Sequence, residues 1–274
     1  MPELPEIEVL SRKLDSELRG DSFKSVKFYR SDLREPLACD LITKCLTGSE
    51  IKRLHRRSKY LILETSEHST LIHLGMSGQF LLEASQKVPF KKHTHIELTL
   101  NSGRCLRFVD PRRFGRFDTC ALPDFESHRY IAHLGPEPLE SNNLGLLLFN
   151  ASRRIKQPIK NFIMDPSRIV GVGNIYASES LFLAGISPLR AAGTLKKQDF
   201  QRLSDCIQQV LQKAIDFGGT SIRDYRHPDG SKGSFAFQLF VYGRKGQNCT
   251  QCQRNITEKK LAGRSSFFCS YCQK

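Results

Sequence analysis

Four cysteines near the end of the chain, Cys249, Cys252, Cys269 and Cys272, constrain its folding more than any other feature. Their spacing, C-x2-C-x16-C-x2-C, puts two sulfurs into each of two tight knuckles, the arrangement of a four-thiolate zinc site. Zinc enclosed by four sulfurs keeps no open coordination position, so one structural Zn2+ is expected, and the insert between the pairs is expected to form a hairpin. Read instead as redox pairs, the cysteines would leave a tail too small to fold alone without a stabiliser. Arg264, in "AGRSSFF", falls near the expected hairpin tip. It is either a solvated side chain or a phosphate contact, and the basic tail around it favours the contact.

The other five cysteines, Cys39, Cys45, Cys105, Cys120 and Cys206, show no paired spacing. With no basic, apolar leader at the start they are expected to be reduced, and the protein cytoplasmic. No apolar run approaches the roughly 18 residues of a spanning helix, so no membrane role is expected.

Charge says more about partners. The 274 residues carry 42 Lys and Arg against 28 Asp and Glu, a formal net charge of +14, which points to a polyanion. The surplus is clustered: Lys52, Arg53, Arg56, Arg57 and Lys59 form one group; Arg104, Arg107, Arg112, Arg113 and Arg116 a second; Arg153, Arg154, Lys156 and Lys160 a third. Even spreading, as for solubility alone, would look different.

Hydrophobic periodicity divides the chain. Ile7, Leu10, Leu14 and Leu18 recur at helical spacing before Gly20, predicting a helix from about Pro5 to Arg19. "KYLILE", "STLIHLG", "HIELTL" and "RCLRFVD" then read as short antiparallel strands of a sandwich or barrel. Prolines and a glycine in "HLGPEPLE" mark a linker. Helices are predicted beyond it over about 143–152, 157–164, 174–184 and 197–217, followed by a loop over about 219–235 that is long enough to be functional. The expected organisation is α+β, with segments 1–133, 134–240 and 241–274.

Three local patterns suggest chemistry. In "IVGVGNIYASES", Asn174 reads as an N-cap whose helix start exposes N–H groups to a phosphate, while the absence of a third glycine excludes a dinucleotide fingerprint. "HLGMSG" and "DPRRFG" put Met76, Arg112 and Phe114 in turns at strand ends. There the apolar side chains either fold back onto the sheet or act as wedges that fill the stack left by an extruded nucleotide, with the arginine bonding the orphaned base. The third pattern is "MPELPE". Initiator methionine is normally removed before proline, and the secondary amine then freed at Pro2 titrates near neutrality, lowered further by the helix dipole. Attack by that amine on a sugar C1′ gives a cationic iminium that promotes base departure and strand elimination. Glu3 is placed to move protons, Glu6 to orient or cap, and Lys59 to serve as a second amine or a phosphate clamp, the basic run favouring the clamp.

Taken together, "MPELPE", "RRSKYLILE", "HLGMSG", "DPRRFG", "HLGPEPL", "GVGNIYASESLF", "VYGRKG" and the four cysteines resemble the formamidopyrimidine-DNA glycosylase family of bacterial base-excision repair, over essentially the whole chain. The resemblance implies an N-terminal β-sandwich flanked by helices, a helix-two-turn-helix motif and a zinc finger, with DNA between the domains. It implies a monomeric, nucleoid-associated enzyme that acts on double-stranded DNA, excises 8-oxoguanine and formamidopyrimidines and cuts abasic sites by β and δ elimination. It assigns catalysis to Pro2, Glu3, Glu6 and Lys59. Phosphate contacts fall to Lys59, His73, Asn174 and Arg264, and void filling to Met76, Arg112 and Phe114. His73 alone would be an ordinary strand residue. The chain departs from the family's "IKPW" with "IKNF" at Ile159 to Phe162.

Two rivals have discriminators. An endonuclease VIII-like enzyme for oxidised pyrimidines is disfavoured by the leucine in "MPELPE" and the Met76, Arg112, Phe114 set. A non-catalytic zinc DNA-binding protein is disfavoured by Pro2 and Glu3.

Overall fold

The computed structural model describes residues 2–220 and 234–274, apart from the side chains of residues 236 and 237. Met1 and most of the loop expected over 219–235 lie outside the described residues. Contacts divide the chain into two units, one of residues 1–132 with 218–234 and one of 133–217 with 235–274.

The first unit opens with α1 (Leu4–Leu18), one residue earlier at each end than its periodicity indicates. Its Ile7, Leu10, Leu14 and Leu18 are all essentially inaccessible to solvent. Burying each such side chain is worth about 1.5–3 kcal/mol, so the helix is held by its apolar face more than by intrinsic propensity. Asp15 fixes its orientation: one carboxylate oxygen accepts from the Leu54 N–H at 2.7 Å. Gly20, at φ +85°, ends the helix in a conformation that glycine adopts without strain.

There follow β1 (Phe23–Phe28), α2 (Cys39–Leu46), β2 (Arg53–Arg57), β3 (Tyr60–Glu64), β4 (His68–His73), β5 (Gln79–Glu83), β6 (Thr94–Leu100), β7 (Cys105–Val109) and β8 (Arg116–Ala121). The eight strands form two four-stranded antiparallel sheets, ordered β1-β6-β7-β5 and β2-β3-β4-β8. One core joins them and α1, with Phe80, Phe108 and Phe117 at its centre as mutually tilted rings 5.0–6.1 Å apart. This is the expected sandwich, and the four segments read as strands are β3, β4, β6 and β7; α2 and the strands β1, β2, β5 and β8 are elements that the sequence reading does not contain.

Every residue of β6 and β7 is buried, although alternate side chains of a sheet face opposite ways. The outer face is covered by the segment after β5. Arg107, on that face, donates to the carbonyls of Gln86 and Val88 at 2.9 Å each and pairs with Glu97 at 2.8 Å, so the buried charge is neutralised and the segment is tied down.

The second unit contains α3 (Leu144–Ser152), α4 (Ile159–Ile163), α5 (Asn174–Leu183), α6 (Lys197–Asp216), and the hairpin of β9 (Thr257–Leu261) and β10 (Arg264–Phe268). Gly145 lets α3 approach α6 closely: a Cβ there would lie 2.9 Å from the Gln201 Cα. From Ile175 to Phe182 α5 is buried throughout, as a central helix must be. Phe162, where "IKNF" departs from "IKPW", is fully buried against Phe200, with ring centroids 6.1 Å apart. The hairpin turns through Ala262 and Gly263, both at positive φ, which leaves exposed Arg264 directly after the turn.

Candidate active site and metal centre

Glu3 and Glu6 are 2% and 1% exposed, and they form a reciprocal capping box at the start of α1. Glu3 is the N-cap. Its backbone N–H donates to Glu6 Oε2 at 2.7 Å, and its side chain accepts from the N–H of residue 6. The second oxygen of Glu6 accepts from the Thr220 N–H at 2.7 Å. Gly219, at φ +81°, lies so close to Glu6 that a Cβ would meet its Cγ and Oε1 at 3.2 Å. One carboxylate therefore fixes the Pro2–Glu3 peptide and anchors the entry to the long loop. Pro2 is buried beside them.

The turns around residues 75–78 and 110–115 interlock. Gly75, at φ +64°, leaves no room for a Cβ, which would lie 2.4 Å from the carbonyl carbon of Phe114. Asp110, wholly buried, holds both turns: Oδ1 accepts from Ser77 Oγ at 2.6 Å and from the Arg112 N–H at 3.3 Å, while Oδ2 accepts from the Gly115 N–H at 2.8 Å. With the backbone so fixed, Met76 and Phe114 stand 39% and 38% exposed, and the Arg112 guanidinium lies 4.9 Å from the Phe114 ring centre. The side chains thus project from the unit instead of folding back onto the sheet. Asp110 and Ser77 are missing from the sequence-derived site. The Asp-Pro pair in "DPRRFG" signals a turn, but nothing local reveals a carboxylate that serves two turns.

Lys59 follows Ser58, at φ +57°, in the two-residue turn between β2 and β3. Across the sheet Tyr60 pairs with His73, and His73 with Arg116, so Lys59, His73 and Arg116 gather at one end of the strands. Burial, with the nearby charges of Lys59, Arg116 and Arg34, pushes the His73 imidazole down to about 4. Its Nδ1 accepts from the Gly75 N–H at 2.9 Å, which leaves the proton of the neutral ring on Nε2.

In the second unit Asn174 is not the N-cap expected of it. Gly173 holds that position, without a side-chain cap, because the Asn174 amide is engaged across the fold: Nδ2 donates to the Ser265 carbonyl at 3.0 Å and Oδ1 accepts from Lys160 Nζ at 2.6 Å. Lys160, fully buried, also donates to the Ser265 carbonyl and to Ser266 Oγ, joining α4, α5 and β10. Arg264 is the neighbour of that junction. Glu179 accepts the N–H groups of Phe240, Val241 and Tyr242 at 2.7–3.0 Å; burial raises its carboxyl despite these three bonds.

Basic clusters read as phosphate contacts are partly structural. Arg56 is 3% exposed and pairs with Glu8 at 2.8 Å; burial pushes the Glu8 carboxyl up, but Arg56 and Arg12 outweigh it and hold it below the ordinary range. Arg104 is paired to Glu17, Arg107 to Glu97 and Arg116 to Glu35. Lys160 is interior. Sequence clustering registers how many cations lie close in the chain but not which way each faces.

The ligand sulfurs of Cys249, Cys252, Cys269 and Cys272 lie within 4.8 Å of one another. Cys249 and Cys272 Sγ are 3.9 Å apart and Cys252 and Cys269 Sγ 3.5 Å, against about 3.8 Å for sulfurs at tetrahedral Zn–S distances. The donor set fits one metal ion held by four sulfurs. Phe182, Val241, Ile256 and the cysteines form a small core around it.

A family model described as the formamidopyrimidine-DNA glycosylase N-terminal domain matches residues 1–117, and one for that enzyme's H2TH domain matches residues 134–226. The chain is 44% identical to the formamidopyrimidine-DNA glycosylase of Stenotrophomonas maltophilia and 43% identical to that of Hahella chejuensis, covering all of each. Among solved structures it resembles a Lactococcus lactis Fpg variant in complex with DNA containing Fapy-dG, at TM-score 0.92 and 32% identity over 100% of both chains. It also resembles the Lactococcus lactis Fpg bound to DNA with an abasic site, at TM-score 0.91 and 33% identity over 99% of both.

Proposed function

The chain belongs to the formamidopyrimidine-DNA glycosylase family, and from that premise we propose that it excises oxidised purines, 8-oxoguanine and formamidopyrimidines, from double-stranded DNA and then cleaves the abasic strand. The observation that carries the mechanism is the buried Glu3–Glu6 pair directly after Pro2. Once Met1 is removed, the Pro2 nitrogen lone pair forms a bond to C1′, and the glycosidic pair departs with the base. Ring opening leaves a C1′ iminium, which cannot shed its charge by losing a proton because the amine is secondary. The iminium acidifies the C2′ hydrogen; its removal expels the 3′ phosphate, and a second elimination expels the 5′ phosphate. Glu3 moves the protons of these steps, and Glu6, held at both oxygens, keeps Glu3 in place.

The remaining roles are those that the family resemblance assigns. Lys59, His73, Asn174 and Arg264 hold phosphates; a neutral His73 donates through Nε2. Met76 and Phe114 fill the space left by the extruded nucleotide, and Arg112 bonds its former partner. The four cysteines hold one structural Zn2+ that shapes the hairpin carrying Arg264 and takes no part in bond making. The segments 1–133, 134–240 and 241–274 act as catalytic, helix-two-turn-helix and zinc-finger parts of one monomer.

Borohydride reduction in the presence of abasic DNA tests the proposal. A covalent adduct mapped by mass spectrometry to Pro2 is expected, together with faster release of 8-oxoguanine opposite cytosine than of thymine glycol. DNA binding without any adduct would establish the non-catalytic reading, and faster release of the pyrimidine lesion the endonuclease VIII-like one.

A further inference from the structure

Phe90 and Tyr29 are 50% and 38% exposed, and they contact each other edge to face with ring centres 4.5 Å apart. Large rings left open to water need a reason. These are held there: the buried Arg107 guanidinium lies 5.3 Å from the centre of the Phe90 ring while tying down the carbonyls of Gln86 and Val88 on the same segment. Gln86 adds bonds to Glu97 and to Thr99. The surroundings are cationic. Lys27 Nζ stands 4.8 Å from the Tyr29 ring centre, and Lys87, Lys91 and Lys92 flank Phe90, all exposed and with no acid between Lys87 and Lys92.

The segment carrying the patch is hydrogen-bonded to the residue that holds the turns assigned to the lesion. The His93 carbonyl accepts from the Asp110 N–H at 3.0 Å, and His95 Nε2 is bonded to the Asp110 carbonyl at 2.8 Å. Asp110 is the residue that holds the Met76 and Phe114 turns. The segment that carries the lysines is thus pinned to the same residue as those turns. Lysines alone would suffice for the phosphates of a duplex, whose base faces are stacked inside. Exposed rings add a surface for a base whose face is free.

We infer that the Tyr29–Phe90 pair with Lys27, Lys87, Lys91 and Lys92 is an accessory site for an unpaired stretch of DNA adjoining the lesion-bearing duplex. The inference rests on the DNA-repair reading for its ligand. The site would engage substrates that carry a gap, a frayed end or an overhang.

The test uses full-length, zinc-loaded protein and fluorescence anisotropy with three lesion-bearing duplexes, one blunt and two that carry a single-stranded oligothymidine overhang on one side or the other. Wild type is expected to bind one overhang duplex about tenfold more tightly, as one stacked base allows. Phe90→Ser and Tyr29→Ser are expected to abolish that preference while excising the lesion from blunt duplex at the wild-type rate. Equal affinity of wild type for blunt and overhang duplexes would overturn the inference, as would an intact preference in both ring variants. Displacement of the overhang by polyglutamate as readily as by oligothymidine of equal charge would also overturn it, since recognition would then be by charge alone. Loss of the preference in the ring variants of a wild type that excises nothing would leave this site standing and remove the proposed activity.

Discussion

Replacing Asp110 tests whether one buried carboxylate sets the two turns that carry Met76 and Phe114. The carboxylate is wholly buried and accepts three bonds, from Ser77 Oγ, Arg112 N–H and Gly115 N–H. Asp110→Ala removes both acceptor oxygens and with them all three bonds. The Arg112 N–H keeps a partner in Ser77 Oγ at 3.2 Å, whereas the Gly115 N–H and the Ser77 hydroxyl lose theirs. Each donor stranded in the interior costs about 1–3 kcal/mol, which gives roughly 4 kcal/mol for the variant. Asp110→Asn keeps an oxygen for Gly115, and the Ser77 hydroxyl can rotate to accept from the new amide. The hydrogen of that hydroxyl then lacks the acceptor it had and the Gly115 bond loses its charge reinforcement, together about 2 kcal/mol. Urea unfolding should therefore order wild type, Asn and Ala in steps of comparable size. Excision of 8-oxoguanine opposite cytosine should fall in both variants while the salt dependence of DNA binding stays as in wild type, because no phosphate contact is removed. Unfolding of the alanine variant within 1 kcal/mol of wild type, or equal losses for Asn and Ala, would refute the assignment of Asp110 as the common anchor.

Arg56 and Lys59 lie three residues apart and should separate stability from binding. Arg56→Gln breaks a largely buried pair with Glu8, at a cost on the order of 3 kcal/mol, and should leave the salt slope of DNA binding unchanged. Lys59→Gln should reduce that slope by about one with little change in urea midpoint. For His73, NMR titration should give a midpoint near 4, in place of the ordinary 6.5. The sign follows: between these values the unfolded chain takes up a proton that the folded chain refuses, so His73 lowers stability as pH falls from about 6.5 toward 4. A midpoint at or above 6.5 would contradict the buried, Nε2-protonated imidazole. Removing the metal with a chelator, or replacing Cys249 with serine, should unfold the hairpin and weaken DNA binding, with far-ultraviolet dichroism of the remaining helices largely retained; unaltered affinity after complete metal removal would contradict a structural role.

Much of the fold follows from local rules. The helical spacing of Ile7, Leu10, Leu14 and Leu18 places α1, and short branched segments place β3, β4, β6 and β7 of the sandwich, because periodicity records which face is buried. α2 escapes: it has eight residues, and only Ile42, Cys45 and Leu46 are buried, too short a run for its period to register. The site divides the same way. The capping role read for Glu6 is legible because a capping box is a contact between residues three apart in sequence, here Glu6 with Glu3. Asn174 is misread as a cap because its partners, Lys160 and Ser265, lie 14 and 91 residues away.

The sequence by itself determined the four-cysteine cluster, the succession of a sandwich, a helical region and a cysteine-bearing hairpin, and the family. Each depends on spacing within a short stretch or on the chain's own succession of motifs. Only the tertiary structure decided which charges face inward and what they hold. Arg56 and Lys59 are equivalent cations in the text of the chain, yet one is closed against Glu8 and the other sits in a hairpin turn beside His73. Asp110 reads as a turn residue until folding brings Ser77 and Gly115 to its two oxygens. The physical reason is that desolvation and pairing energies depend on distances between residues far apart in sequence, and those distances exist only once the core has closed.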